Sequence, residues 1–115
     1  MVEDDAVAAL AALAHGDRLK AFRLLVKAGP DGMPSGEVAE ALAIQPTRMS
    51  FHLAALERSG LVSARRVGRK IYYAVRFDDM RRLLAFLTED CCNGHPEICS
   101  GLPSPNDAAA KEDVT

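Results

Sequence analysis

The chain has 115 residues, enough for one domain. It is 49% apolar and 26% charged, with no Trp and few other aromatics, so Leu, Ala and Val must build its core. No apolar run reaches the ~20 residues that cross a bilayer, and the acidic residues 1–6 lack the basic region of a secretory signal, which predicts a cytoplasmic address and no membrane partner. Net charge is −2 but segregated: residues 46–76 hold seven bases and one acid, Glu57, while the remainder holds seven bases and fifteen acids. That distribution argues against reading the net charge as exclusion of a polyanion, because it focuses positive potential on one stretch.

Residues 3–14 predict a helix with Val7, Leu10, Ala11 and Ala14 on its apolar face, at spacings of three and four. Gly16 interrupts it, and Asp17 is placed to cap a second helix that carries Leu19, Phe22, Leu25 and Val26. That helix stops at Gly29-Pro30, and Asp31-Gly32 forms a turn. Ser35 is the expected N-cap of a short helix ending at Leu42. After a tight connection over 43–45, Pro46 suits the first position of a new helix, which runs to Ser59 and ends at Gly60. Residues 61–67 and 70–76 are rich in Val, Ile and Tyr and flank Gly68, a β-hairpin pattern. Asp78-Asp79 open a last helix with Met80, Leu83, Leu84 and Leu87 on one face. Residues 100–115 show no periodicity and are expected to be a disordered tail.

A short helix, a turn and a second helix make a helix-turn-helix. In the second helix Met49, Leu53 and Leu56 share the inward face, leaving Thr47, Arg48, Ser50, Phe51 and Ala55 opposite. The N-terminal part of such a helix enters the DNA major groove. Arg48 has the chemistry for a bidentate bond to guanine, Thr47 and Ser50 for phosphates or bases, and Phe51 either for a thymine methyl or for burial against the hairpin. His52 flanks the core face and suits a packing or phosphate contact better than ligation. The hairpin then reads as a wing. Arg65, Arg66, Arg69 and Lys70 crowd its tip, suited to phosphates or a minor groove, or to a solvated surface.

These residues carry a resemblance. The run Ser50-Phe51-His52-Leu53-Ala54-Ala55-Leu56, followed by Ser59-Gly60-Leu61-Val62 and by Gly68-Arg69-Lys70-Ile71-Tyr72-Tyr73, resembles the ArsR/SmtB metalloregulatory repressors, and the similarity extends over about residues 8–88. The resemblance implies a mainly α fold with a β-hairpin, winged helix-turn-helix in the order α-α-α-α-β-β-α. It also implies a homodimer joined through the first and last helices, double-stranded operator DNA as partner, and repression relieved by a bound inducer. Phe51 departs from the polar or basic residue often found at that place, which leaves the operator sequence open.

All three cysteines, Cys91, Cys92 and Cys99, fall within nine residues. An odd count argues against a disulfide framework and for thiol chemistry or a metal. The two sensor positions common in the resembling family are absent: residues 34–39 carry no thiol and residues 78–88 no His. The remaining segment is similar to the C-terminal arsenic site of some arsenic-responsive members. That similarity implies Cys91, Cys92 and Cys99 as ligands of As(III) or Sb(III), which suit three soft thiolates. Alternatives stay open. His95 would complete a Cys₃His set for Zn(II) or Cd(II), and oxidation of Cys91 or Cys92 resolved by Cys99 would make a redox sensor. The expected organisation is a DNA-binding and dimerisation domain over 1–90, an inducer segment over 91–99 and the tail over 100–115. No nucleophile–base pair or paired carboxylates suggest an enzyme. A metal-storage or delivery protein is the reading from another class, and the basic wing argues against it.

Overall fold

The apolar spacings become helices and the Val-rich stretches a sheet. In chain order the elements are α1 (Glu3–Leu13), α2 (Gly16–Ala28), β1 (Met33–Pro34), α3 (Ser35–Leu42), α4 (Pro46–Arg58), β2 (Val62–Val67), β3 (Lys70–Val75) and α5 (Phe77–Thr88). This computed structural model describes residues 2–88. The chain divides after Leu83, and of the C-terminal part the described residues are 84–88.

The core forms around α4, which packs on α1, α2, α3 and β2. Its Met49, Leu53 and Leu56 are fully buried, as are Leu25 of α2 and Val38 of α3. Leu61, Val62, Tyr73 and Val75 bring the sheet into the same interior. Each such aliphatic side chain contributes about 1.5–3 kcal/mol on burial. Among the described residues, no buried side-chain polar atom lacks a partner.

Two helices turn their apolar faces differently from expectation. In α1 the buried residues are Ala6, Ala9 and Ala12, while Val7 and Leu10 are exposed. Small side chains let α1 lie close to α2 and α4, so the larger ones of the expected face remain outside. In α5 Leu83 is buried and Met80 half-buried, whereas Leu84 and Leu87 are exposed.

The sheet has a third strand that the sequence pattern did not announce, in the order β1-β3-β2. Met33 pairs with Tyr73 and Pro34 with Tyr72. Two residues carry no period, and Pro34 is tolerated because β1 is an edge. Gly32 makes the pairing feasible. Its φ is +73°, and a Cβ there would lie 2.2 Å from the Tyr73 carbonyl oxygen.

The caps also differ. α2 is capped by His15, whose Nδ1 accepts from the Asp17 N–H at 3.2 Å, and α3 starts after Pro34 with no side-chain cap, so Asp17 and Ser35 do not cap. α4 begins on Pro46 as expected. The turn between α3 and α4 closes with the Ile44 N–H donating to the Ala39 carbonyl at 3.0 Å and the Ala43 N–H to Glu40 at 3.2 Å, a Schellman motif. Its left-handed position, usually glycine, is Ala43 at φ 55°. A Cβ in that conformation costs about 1–2 kcal/mol. Ala43→Gly is therefore expected to stabilise the protein by about 1 kcal/mol, the relief of strain exceeding the added freedom of the unfolded chain. A urea midpoint shifted upward at constant slope checks this; a downward shift contradicts it.

Candidate nucleic-acid interface

Because Met49, Leu53 and Leu56 lock α4 by their burial, the rest of its N-terminal half faces outward. Thr47, Arg48 and Ser50 are exposed, and Phe51 is 69% exposed. Phe51 thus lies on the surface and not against the wing. Ala55, expected on the outer face, is buried, since the stripe of contacts on α4 is wider than the three-residue seam.

The first turn of α2 meets the outer edge of α4. Arg48 Nη2 donates to Asp17 Oδ2 at 3.1 Å, an exposed pair worth about 0–1 kcal/mol. Asp17 Oδ2 is also 3.7 Å from His52 Nε2. Arg18 Nε donates to His52 Nδ1 at 3.3 Å, and the His15 and His52 rings lie 4.6 Å apart, tilted by 46°. Burial pushes His52 below its ordinary pKa, helped by His15, Arg18 and Arg48 and opposed by Asp17. His52 is thus a packing residue with specific polar partners. Spacing could not find those partners, which lie more than thirty positions away. The available signal was the pairing of Arg48 and His52 one turn apart on α4.

His15, Asp17 and His52 are the described residues whose donor atoms converge as a metal site requires, within 4.8 Å of one another. The acceptor nitrogens of both rings are committed, however, and one oxygen of the carboxylate is already engaged. His15 Nδ1 accepts from the Asp17 N–H, His52 Nδ1 from Arg18, and the Asp17 carboxylate from Arg48. Two guanidinium groups and the positive end of α2 leave the cluster hostile to a further cation. It works as a joint between helices.

In the wing, Arg65 pairs with Tyr72 and Arg66 with Ile71 across the strands. Gly68, with φ +63°, makes the two-residue tip together with Arg69. The four bases divide into two kinds. Arg65 stacks over the Tyr72 ring at 5.3 Å and reaches the Asp31 carbonyl, and Arg66 donates to the Gly68 carbonyl at 3.4 Å. The side chains of Arg69 and Lys70 are exposed and, among the described residues, have no hydrogen-bond or ion-pair partner. Cys91, Cys92, His95 and Cys99 lie outside the described residues. No helix among the described residues is long and apolar enough to cross a membrane.

Comparison with known proteins gives the context of this geometry. A helix-turn-helix domain family matches residues 13–64. The HTH-type transcriptional regulator Rv0324 of Mycobacterium tuberculosis is 33% identical over 107 residues, covering 90% of this chain and 46% of that protein, so the chain spans less than half of its length. The nodulation protein NolR of Rhizobium meliloti is 34% identical, covering 76% of this chain and 70% of that one. Among solved structures, the homodimeric winged helix-turn-helix DNA-binding domain Mb0332 of Mycobacterium bovis, described as a possible ArsR-family transcriptional regulator, is similar with a TM-score of 0.62 and 34% identity, covering 73% of this chain and 75% of that one.

The lowered pKa of His52 has a measurable consequence. An unperturbed imidazole titrates near ~6.5. In the folded chain His52 stays neutral to lower pH than that, so the unfolded state binds the proton more readily. Its contribution to stability is complete above the unfolded value and is lost as pH falls below it. A proton NMR titration is expected to give His52 a midpoint below ~6.5, and a midpoint above that value contradicts the assignment.

Proposed function

The chain belongs to the ArsR family of winged helix-turn-helix regulators, and from that premise we propose that it is a homodimeric cytoplasmic repressor of operator DNA, released by As(III) or Sb(III). The observation that carries the DNA reading is the outward face of α4, where Arg48 and Phe51 are exposed, together with the wing tip of Arg69 and Lys70. α4 lies in the major groove, with Arg48 on a guanine edge, Thr47 and Ser50 on nearby bases or phosphates and Phe51 against a thymine methyl. The wing supplies sequence-independent phosphate contacts, with Arg69 and Lys70 at the tip and Arg65 and Arg66 behind them. Metal carriage needs no such basic face.

Each helix taken by itself supports the proposed dimerisation: Val7 and Leu10 are exposed on α1, and Leu84 and Leu87 are exposed on α5. Large apolar side chains in groups mark association surfaces. Two α4 helices about 34 Å apart then address two half-sites on one side of the duplex. The inducer acts by linkage. It binds the DNA-incompetent dimer more tightly than the competent one, and a coupling of about 1–3 kcal/mol shifts the population off the operator. Three thiolates within nine residues are its ligands, Cys91, Cys92 and Cys99; a reducing cytoplasm keeps them available.

The DNA assignment is tested by contrasting two variants. Arg48→Ala is expected to weaken binding to the preferred duplex by about 1–3 kcal/mol and relax its base preference. Arg69→Ala with Lys70→Ala is expected to weaken all duplexes alike and flatten the salt dependence by about one unit per lost phosphate contact. Unchanged affinity in the first, or an unchanged salt slope in the second, removes that residue set from the interface.

The inducer assignment is tested with arsenite. Changing Cys91, Cys92 or Cys99 singly to Ser is expected to leave DNA binding intact while abolishing release, because chelation depends on three sulfurs and a serine hydroxyl stays protonated near neutral pH. His95→Ala is expected to leave arsenite release unchanged. Release by Zn(II) or Cd(II) but not arsenite, lost in His95→Ala, would replace arsenic by the Cys₃His reading.

A further inference from the structure

Arg48 needs support that its own helix does not provide. An arginine that reads a guanine edge presents two N–H groups in one plane. Its side chain is 61% exposed, and a long exposed chain gives up rotamer freedom whenever it is held. Across the helix junction, Asp17 stands where it can hold it. Its Oδ2 accepts from Arg48 Nη2 at 3.1 Å and lies 3.7 Å from His52 Nε2. Arg48 and His52 are one turn apart on α4, so a single carboxylate addresses both.

The carboxylate is itself well anchored. It is only 23% exposed and sits in the first turn of α2, where the helix dipole favours an anion. The backbone beneath it is tied by the Asp17 N–H to His15 Nδ1 at 3.2 Å. The His15 ring lies against His52, which Arg18 holds from the other side. Every part of this network except Arg48 is half-buried or bound into the start of a helix. The exposed reader is thus tied to a firm base.

We propose that Asp17 is a positioning residue for DNA sequence recognition: its carboxylate orients the Arg48 guanidinium toward a base edge and at the same place repels phosphate. A guanidinium has five N–H donors, and the bond to Asp17 uses one of them, so a bidentate face remains for guanine N7 and O6. The second effect follows from charge. A duplex that offers Arg48 only phosphates must bring them beside a carboxylate, whereas a matching base edge repays the approach with two hydrogen bonds. Specificity is a difference of affinities, and Asp17 enlarges it from both ends. This inference rests on the assignment of Arg48 to a base under the proposed function.

The test uses the full chain and two probes: a duplex enriched by selecting a random library on the protein, and a scrambled duplex of equal length. Asp17→Asn keeps the shape and removes the charge. It is expected to raise affinity for the scrambled duplex a few-fold and to lower the ratio of selected to scrambled binding about tenfold. A merely structural lesion lowers both affinities together. In the Arg48→Ala background Asp17→Asn is expected to leave the ratio unchanged, because the group it orients is gone. Circular dichroism and urea unfolding of each variant check that the fold is kept. If Arg48→Ala lowers the ratio while Asp17→Asn does not, the positioning role is overturned and the base contact stands. If Arg48→Ala leaves the ratio unchanged, the base contact is wrong and the role of Asp17 falls with it.

Discussion

Three side chains of α4 fix its rotation about its own axis, and the outer surface of the protein depends on that one constraint. Met49, Leu53 and Leu56 are fully buried, at spacings of four and three. Turning α4 by one residue would drive Ser50 or Arg48 into an apolar interior, at a cost of several kcal/mol for an unpaired charge. With the rotation fixed, Thr47, Arg48, Ser50 and Phe51 have no choice but to face solvent. The composition of the core thereby decides which residues of α4 are left on the surface, although no core residue is itself exposed there.

The same economy governs the charges. The basic stretch is not uniformly available. Arg65 and Arg66 are drawn onto Tyr72 and the tip carbonyl, while Arg69 and Lys70 have no such bonds among the described residues. Arg48 is held by Asp17, and Asp17 belongs to the acidic part of the sequence. The excess of acids outside residues 46–76 is therefore not just a counterweight in the net charge. At the helix junction one of those acids reaches into the basic face and shapes it.

The helices and hairpin were legible because each carries a period or a punctuation residue: Pro46 at the start of α4, Gly68 at the wing tip, Gly29-Pro30 after α2. The outward residues of α4 followed from the inward ones. What the pattern missed has two physical causes. Periodicity reports that a stripe is apolar but not what covers it, so Val7 and Leu10 of α1 looked like core and are exposed, while Ala6, Ala9 and Ala12 pack inside. Long-range polar pairing has no local signature, so the partnership of Asp17 with Arg48, across thirty-one positions, could not be read from spacing. β1 was missed because its existence depends on Gly32 lying against β3, a tertiary fact.

That short strand has a consequence for how the protein behaves at high concentration. A three-stranded sheet has two rims on which a stray chain could add by backbone hydrogen bonding. Along one rim β1 is only two residues long and includes Pro34, which has no N–H to offer, so little template is available there. The other rim is β2, which carries Arg65 and Arg66 in succession, one on each face of the sheet. A second copy approaching edge to edge would bring like charges together, as guarded rims do in other sheets. The bases proposed to meet phosphate in the wing also keep neighbouring wings from fusing into a continuous ribbon.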